Sequence, residues 1–144
     1  MATYKKQTFI SGKYANKSEL YDKEVKKAKI VSETSPEESI TYKDLKGNPK
    51  IQDVCKVMFD GYTEAFKVSL NRATINALVD AFGENSSDWQ GHTLAVEIDK
   101  LPGKKFPLYL IPEGYKRIED EKGYSVIVNS NVQGENIEAE NTGY

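Results

Sequence analysis

The chain has 144 residues, 38% of them apolar, with 20 Lys and Arg against 22 Asp and Glu, for a formal net charge of −2. That length suits one domain with polar ends, and the balance excludes a surface uniformly built for polyanions. No apolar run approaches the roughly 18 residues of a membrane span, and the lone cysteine, Cys55, excludes an internal disulfide.

The N-terminus lacks the apolar stretch of a signal peptide, so a cytoplasmic protein without a membrane partner is expected. Charge is unevenly spread. Lysines occupy positions 5, 6, 13, 17, 23, 26, 27 and 29 against Glu19, Asp22 and Glu24. From Ile118 onward Glu119, Asp120, Glu121, Glu135, Glu138 and Glu140 face Lys122 alone. Three regions follow: a basic N-terminal arm over 1–23, a folded domain over 24–117, and an acidic, flexible tail over 118–144.

Residues 1–23 show no period. Glu24 to Glu33 alternates as a first strand, with Val25, Lys27, Lys29 and Val31 on one face and Lys26, Ala28 and Ile30 on the other. Pro36 is expected to end it, Ile40 to Leu45 carries no decisive period, and "KGNPK" is a turn. "IQDVCKVMF" and "YTEAFKVSL" then flank Asp60-Gly61, a hairpin signal because both turn residues need positive φ. Pairing Phe59 with Tyr62 sets Val57 against Glu64, Cys55 against Phe66 and Asp53 against Val68, with Ile51 and Leu70 on that same core side. The outer face carries Val54, Lys56, Met58, Thr63, Ala65 and Lys67.

Asn71 to Gly83 reads as a helix, capped by Asn71, ended by Gly83, and buried along Ile75, Leu78, Val79 and Phe82. Leu94, Val96 and Ile98 alternate in the next strand. "DKLPGKK" is a basic turn, and "FPLYLIP" is a partner strand with Pro107 at its start. "EGYKRIEDEKG" is a charged linker, and Tyr124 to Val128 is a last apolar run. Strand, strand, hairpin partner, helix, strand, strand is a mainly β order. It fits a small five-stranded OB-like barrel with one helix between strands 3 and 4 and disordered or extended ends.

Chemistry is sparse. His92 is the single histidine and has no second histidine or cysteine near it in sequence, Cys55 faces the expected core, and no phosphate loop, dinucleotide fingerprint or zinc spacing occurs. The expectation is no enzyme, no cofactor and no metal. What recurs is aromatics interleaved with cations, as in "TYKKQTF", "GKYANK", "ITYKDLK" and "GKKFPLYL". Single-strand binders need that pairing: lysines follow phosphates, and aromatic faces stack on bases at about 1–3 kcal/mol each. Tyr42, Lys56, Lys67, Lys104, Lys105 and Tyr109 are the candidates, because they fall on the outer strand face or in the basic turn. In the corner "DWQGH", Trp89 is either a buried anchor or a base platform. Burial supplies the larger apolar gain, with Gly91 letting the chain pass close beneath the indole and Asp88 bracing the turn.

Leu70-Asn71, the helix to Phe82, Gly83, the polar turn Glu84 to Ser87 and Asp88-Trp89-Gln90-Gly91 together resemble a family of small phage-encoded OB-fold-like proteins that bind single-stranded DNA. The match spans Val54 to Ile98, about a third of the chain. In that family lysine follows W-x-G, where this chain has His92. The resemblance implies a cytoplasmic, non-enzymatic accessory of viral or plasmid replication or recombination. Single-stranded nucleic acid would be its ligand, and replication proteins would be partners for the acidic tail. The competing expectation is a protein-binding adaptor or virion-associated factor. Oligomeric state is not legible.

Overall fold

The computed structural model describes residues 12–130, apart from the side chains of Ile40 and Thr41. The first eleven residues of the expected basic arm, and the acidic tail from 131 on, lie outside the described residues. The protein is mainly β, with antiparallel sheets and two short helices.

The described part of the arm belongs to the fold. Helix α1 (Lys17–Asp22) is capped by Asn16, whose side chain accepts from the Glu19 N–H at 3.1 Å. It buries only Leu20, and one buried residue makes no periodic stripe to read. Ahead of it, the Lys67 N–H donates to the Lys13 carbonyl at 2.7 Å and the Ala15 N–H to the Lys67 carbonyl at 2.8 Å. Residues 13–22, assigned to the arm, thus bond to the sheet.

The main sheet contains β1 (Lys27–Ile30), β2 (Ser35–Lys43), β3 (Pro49–Phe59), β4 (Phe66–Leu70), β5 (Thr93–Ile98) and β6 (Leu108–Pro112). Its order is β2-β3-β1-β5-β6, with β4 also paired to β3. Strands β1 and β2 both pair with β3, as Ala28↔Phe59 to Ile30↔Val57 and then Ser35↔Val54 to Glu38↔Ile51. Between them residues 31–34 stand opposite only Cys55 and Lys56. Ser32 fills the break by accepting the Lys56 N–H on its hydroxyl at 2.8 Å. Pro36 lies inside β2, opposite Asp53, and does not end a strand. β2 is an edge strand, where a missing N–H can face solvent.

Asp60-Gly61 does turn the chain, with the Tyr62 N–H donating to the Phe59 carbonyl at 3.0 Å and Gly61 at φ 88°. Ladder pairing nevertheless resumes only at Phe66. The register is Val57↔Phe66, Cys55↔Val68 and Asp53↔Leu70, two residues from that expected of a two-residue turn. Tyr62 is drawn out of the strand: its hydroxyl donates to Glu19 and its ring packs edge-on against Phe59 and Phe66. An even shift leaves the faces unchanged, so Cys55, Val57, Val68 and Leu70 still enter the core.

Helix α2 (Arg72–Phe82) has the expected ends. Asn71 accepts the Thr74 N–H at 2.9 Å, and Gly83, at φ 100°, donates to the Val79 carbonyl at 2.8 Å. Ile75 and Leu78 are buried, with Val79 and Phe82 packed against them. The N-terminal end of the helix reaches β6: Asn71 Nδ2 donates to the Leu108 carbonyl at 2.9 Å and the Leu110 N–H to Thr74 Oγ1 at 3.2 Å. Among the described residues β4 and β6 share no ladder, so hydrogen-bonded strands do not close the sheet into a ring.

The expected linker and the start of the expected tail form a second, two-stranded sheet, β7 (Tyr115–Glu119) with β8 (Ser125–Asn129). A boundary at residue 118 cuts through β7. Arg117 fastens this hairpin. Its Nη1 and Nη2 reach Asp99 at 2.8 Å each, its Nε reaches Glu97 at 2.8 Å, and its guanidinium lies 4.4 Å from the Tyr109 ring centroid. The Tyr115 hydroxyl adds a 2.7 Å bond to Asp80 on α2.

Hydrogen bonding from Arg117 holds the Asp99 carboxyl below its ordinary value. A depressed carboxyl stabilises the fold above its unfolded pKa and loses that contribution as pH falls through the folded value. Acidification below the usual aspartate range is therefore expected to release the hairpin, and Asp99→Asn is expected to release it at neutral pH. The Arg117 Nη–H resonances report this: they shift toward a free guanidinium in both cases.

Candidate nucleic-acid interface

The loop 99–107 between β5 and β6 positions the basic turn. The Asp99 N–H donates to the Pro107 carbonyl at 3.0 Å, and the Leu101 N–H to the Lys105 carbonyl at 2.8 Å. Gly103 and Lys104, at φ 80° and 59°, swing the chain through two left-handed residues. Lys104 is not glycine, so this conformation costs it about 1 kcal/mol. Helix α1 supports the loop from beside it: the Tyr21 ring packs on Phe106 with centroids 5.7 Å apart, and the Lys100 ammonium lies 6.0 Å from the Tyr21 centroid.

Between loop and helix runs an open groove of about 980 Å³. Its lining brings together Lys17, Lys100, Lys104 and Lys105 with the aromatic rings of Tyr42 and Phe106, and it includes no carboxylate. Tyr42 is 59% exposed. Burial pushes the Lys17 ammonium below the ordinary lysine value. Among the described residues no ion pair compensates Lys17, so a bound anion would restore what it loses in hydration. A smaller hollow of about 240 Å³ adjoins the groove through the shared residues Ala15, Lys17 and Tyr42, and it continues to Tyr14, Gln52 and Lys67.

Of the six sequence candidates, Tyr42, Lys104 and Lys105 thus meet in one groove, and Lys67 lines the hollow beside it. Lys67 is not free. Its ammonium is buried 3.1 Å from the Glu37 carboxylate, with side chains only 10% and 8% exposed, and lies 4.6 Å from the Tyr14 ring centroid. The Tyr14 hydroxyl completes the cluster at 3.4 Å from Glu37. Lys56, half-buried, is the direct ladder partner of Lys67. Val54 on that outer face is fully buried, so the hairpin does not offer the open outer surface expected of it. Tyr109 stands apart, its ring covered by Arg117 between Glu97 and Asp99.

Lys17, Lys100 and Phe106 were not among the candidates. Lys100 and Phe106 flank the same basic turn and were within reach of its reading. Lys17 lay in the aromatic-cation stretch "GKYANK", and Asn16 with Glu19 three residues later was a helix-start signal, but α1 buries too little to show an apolar period.

Removing one partner of a buried ion pair leaves the other unpaired. Lys67→Ala is therefore expected to cost about 3–5 kcal/mol. Urea denaturation checks it, and the double variant Lys67→Met/Glu37→Leu is expected to recover most of the loss.

The "DWQGH" corner is a short 3-10 turn, Ser86–Trp89. Trp89 is 5% exposed, lies in the core cluster, and donates Nε1–H to the Gly83 carbonyl at 2.8 Å. Asn85, not Asp88, caps the turn through the Ser87 N–H at 3.0 Å. Nothing lies within 4 Å of where a Cβ would sit on Gly91. Glycine is needed there for its φ of 84°, not for a close approach beneath the indole. His92 stacks on Phe82 at 3.9 Å and bonds the Asp88 carbonyl at 3.1 Å.

Cys55 is buried, and desolvation raises its thiol pKa to about 12, which leaves it protonated and unreactive at neutral pH. Among the described residues no group of three His, Cys, Asp or Glu side chains could hold a metal ion, and no helix is long and apolar enough to cross a membrane. No family model, curated protein or solved structure matches the chain.

Proposed function

We propose that this protein is a non-enzymatic single-stranded DNA-binding protein whose ligand lies in the groove between α1, Tyr42 and the β5–β6 loop. One observation carries the reading: four lysines and two aromatic rings share a groove whose lining holds no carboxylate. Phosphates answer the lysines, and base faces answer the exposed Tyr42 ring. A folded peptide partner would need carboxylates spaced to four separate ammonium groups, which a polyphosphate backbone supplies by its repeat.

The finer fold reading is an OB-like barrel left open at one seam. Counting β1 and β2 as one bent strand gives five strands with α2 between the third and fourth. Asn71 and Thr74 bridge the gap between β4 and β6. The groove then lies on the loop between the fourth and fifth strands, beside the end of the first, where that fold takes its ligands. A role in viral or plasmid replication or recombination rests on the resemblance over Val54 to Ile98 alone.

Titration of a labelled oligothymidine by anisotropy at two salt concentrations tests the proposal. Binding should weaken with a log–log slope of about −0.7 for each phosphate neutralised. Absence of binding at low salt, or affinity indifferent to salt, would overturn it and favour a protein-binding adaptor.

A further inference from the structure

From Tyr42 to Ile51 every residue is exposed, so the end of β2 and the start of β3 form a finger standing clear of the sheet. Its base is bent: regular pairing stops at Glu38↔Ile51 and resumes only at Lys43↔Pro49, across a register irregularity. Its tip is rigid. The Asp44 N–H donates to the Asn48 carbonyl at 2.8 Å and the Gly47 N–H to the Asp44 carbonyl at 3.0 Å, while Asp44 Oδ1 accepts from the N–H groups of Lys46 at 2.9 Å and Asn48 at 3.0 Å. Gly47, at φ 86°, supplies the left-handed residue that closes the turn.

At the apex of this locked turn sits Leu45, 107% exposed. Asp44 Oδ1 is bonded within the turn, and Lys43, Lys46 and Lys50 outnumber the single carboxylate of the finger. An exposed apolar tip on a net cationic finger matches a base step flanked by phosphates. An apolar side chain can unstack such a step while lysines neutralise the backbone on either side. The hydrogen-bonded backbone of the turn lowers the ordering that insertion has to impose. At its base the finger ends on Tyr42, which lines the groove.

We propose that the finger is a wedge for the ends of base-paired DNA. Leu45 enters the terminal base step of a duplex, Lys43, Lys46 and Lys50 hold the neighbouring phosphates, and the released strand passes Tyr42 into the groove. The proposal rests on the single-strand reading of that groove.

The test uses the full chain and a forked DNA duplex carrying 2-aminopurine in the junction base pair, with an oligothymidine titrated in parallel. The wild type is expected to raise 2-aminopurine fluorescence and to prefer the fork over a blunt duplex by about tenfold. Leu45→Ala removes a side chain that is fully exposed, so the fold is retained. It should abolish the fluorescence rise, while oligothymidine affinity stays within about twofold. Leu45→Phe should retain the rise. Equal fluorescence from wild type and Leu45→Ala, or oligothymidine binding by a wild type that leaves the junction stacked, overturns the wedge and spares the groove. Failure of the wild type to bind oligothymidine overturns the groove reading and the wedge with it.

Discussion

Reversing three groove lysines in one variant, Lys17→Glu, Lys104→Glu and Lys105→Glu, is expected to weaken oligothymidine binding by at least about a hundredfold at physiological salt. All three side chains line the groove, and no carboxylate there offsets them. Each replacement leaves one phosphate without its cation and adds a repelling charge. The magnitude of the salt slope should also fall, by about 0.7 for each phosphate no longer neutralised and so by about 2 for three. The slope separates this effect from misfolding, which would lower the bound fraction without changing the slope of what still binds.

The control carries the same charge change elsewhere. Lys27→Glu and Lys29→Glu on the exposed face of β1, with Lys116→Glu on β7, lie outside the groove lining. At physiological salt their influence is screened within a Debye length of about 8 Å, so affinity should change by no more than about threefold. Equal losses in the two triples would mean that only net charge matters.

Trp89→Ala is expected to cost about 3–5 kcal/mol of stability. The indole is in the same cluster as Leu78, Leu94 and Leu110, and its N–H holds the Gly83 carbonyl at the end of α2. Trp89→Phe keeps most of the apolar volume and loses the hydrogen bond, so it should cost about 1–3 kcal/mol. Urea unfolding at neutral pH measures both. The same burial makes a spectroscopic forecast: the wild-type emission is that of a shielded indole and does not change when oligothymidine binds. Quenching of Trp89 by the ligand would return it to the role of base platform.

What could be read from the sequence was the local part of the fold. The helix after Asn71, its glycine stop and the alternation of Leu94, Val96 and Ile98 depend on residues within one or two turns of each other, and these elements stand as read. The break between β1 and β2 was not legible, because Ser32 replaces a backbone partner with its hydroxyl, and serine has no period. The hairpin register slipped because Tyr62 is held by Glu19, 43 residues away. The core face survived the slip only because the displacement was even.

The site divided along the same line. Lys104 and Lys105 sit in one turn and were found together, and Tyr42 joined them through the outer-face argument. Lys67 looked like an available cation, and only the fold reveals Glu37 beside it, 30 positions earlier in the chain. Tyr109 looked exposed until Arg117 closed over it. Outer-face position predicts exposure only where no other segment crosses the strand, and both of these residues are crossed.

Lysine acetylation mapped by mass spectrometry, with and without a saturating oligothymidine, tests the central claim most directly. Lys17, Lys100, Lys104 and Lys105 should be protected together by the ligand, while Lys27, Lys29 and Lys116 stay as reactive as in the free protein. Protection confined to lysines outside the groove, with those four unchanged, would contradict it.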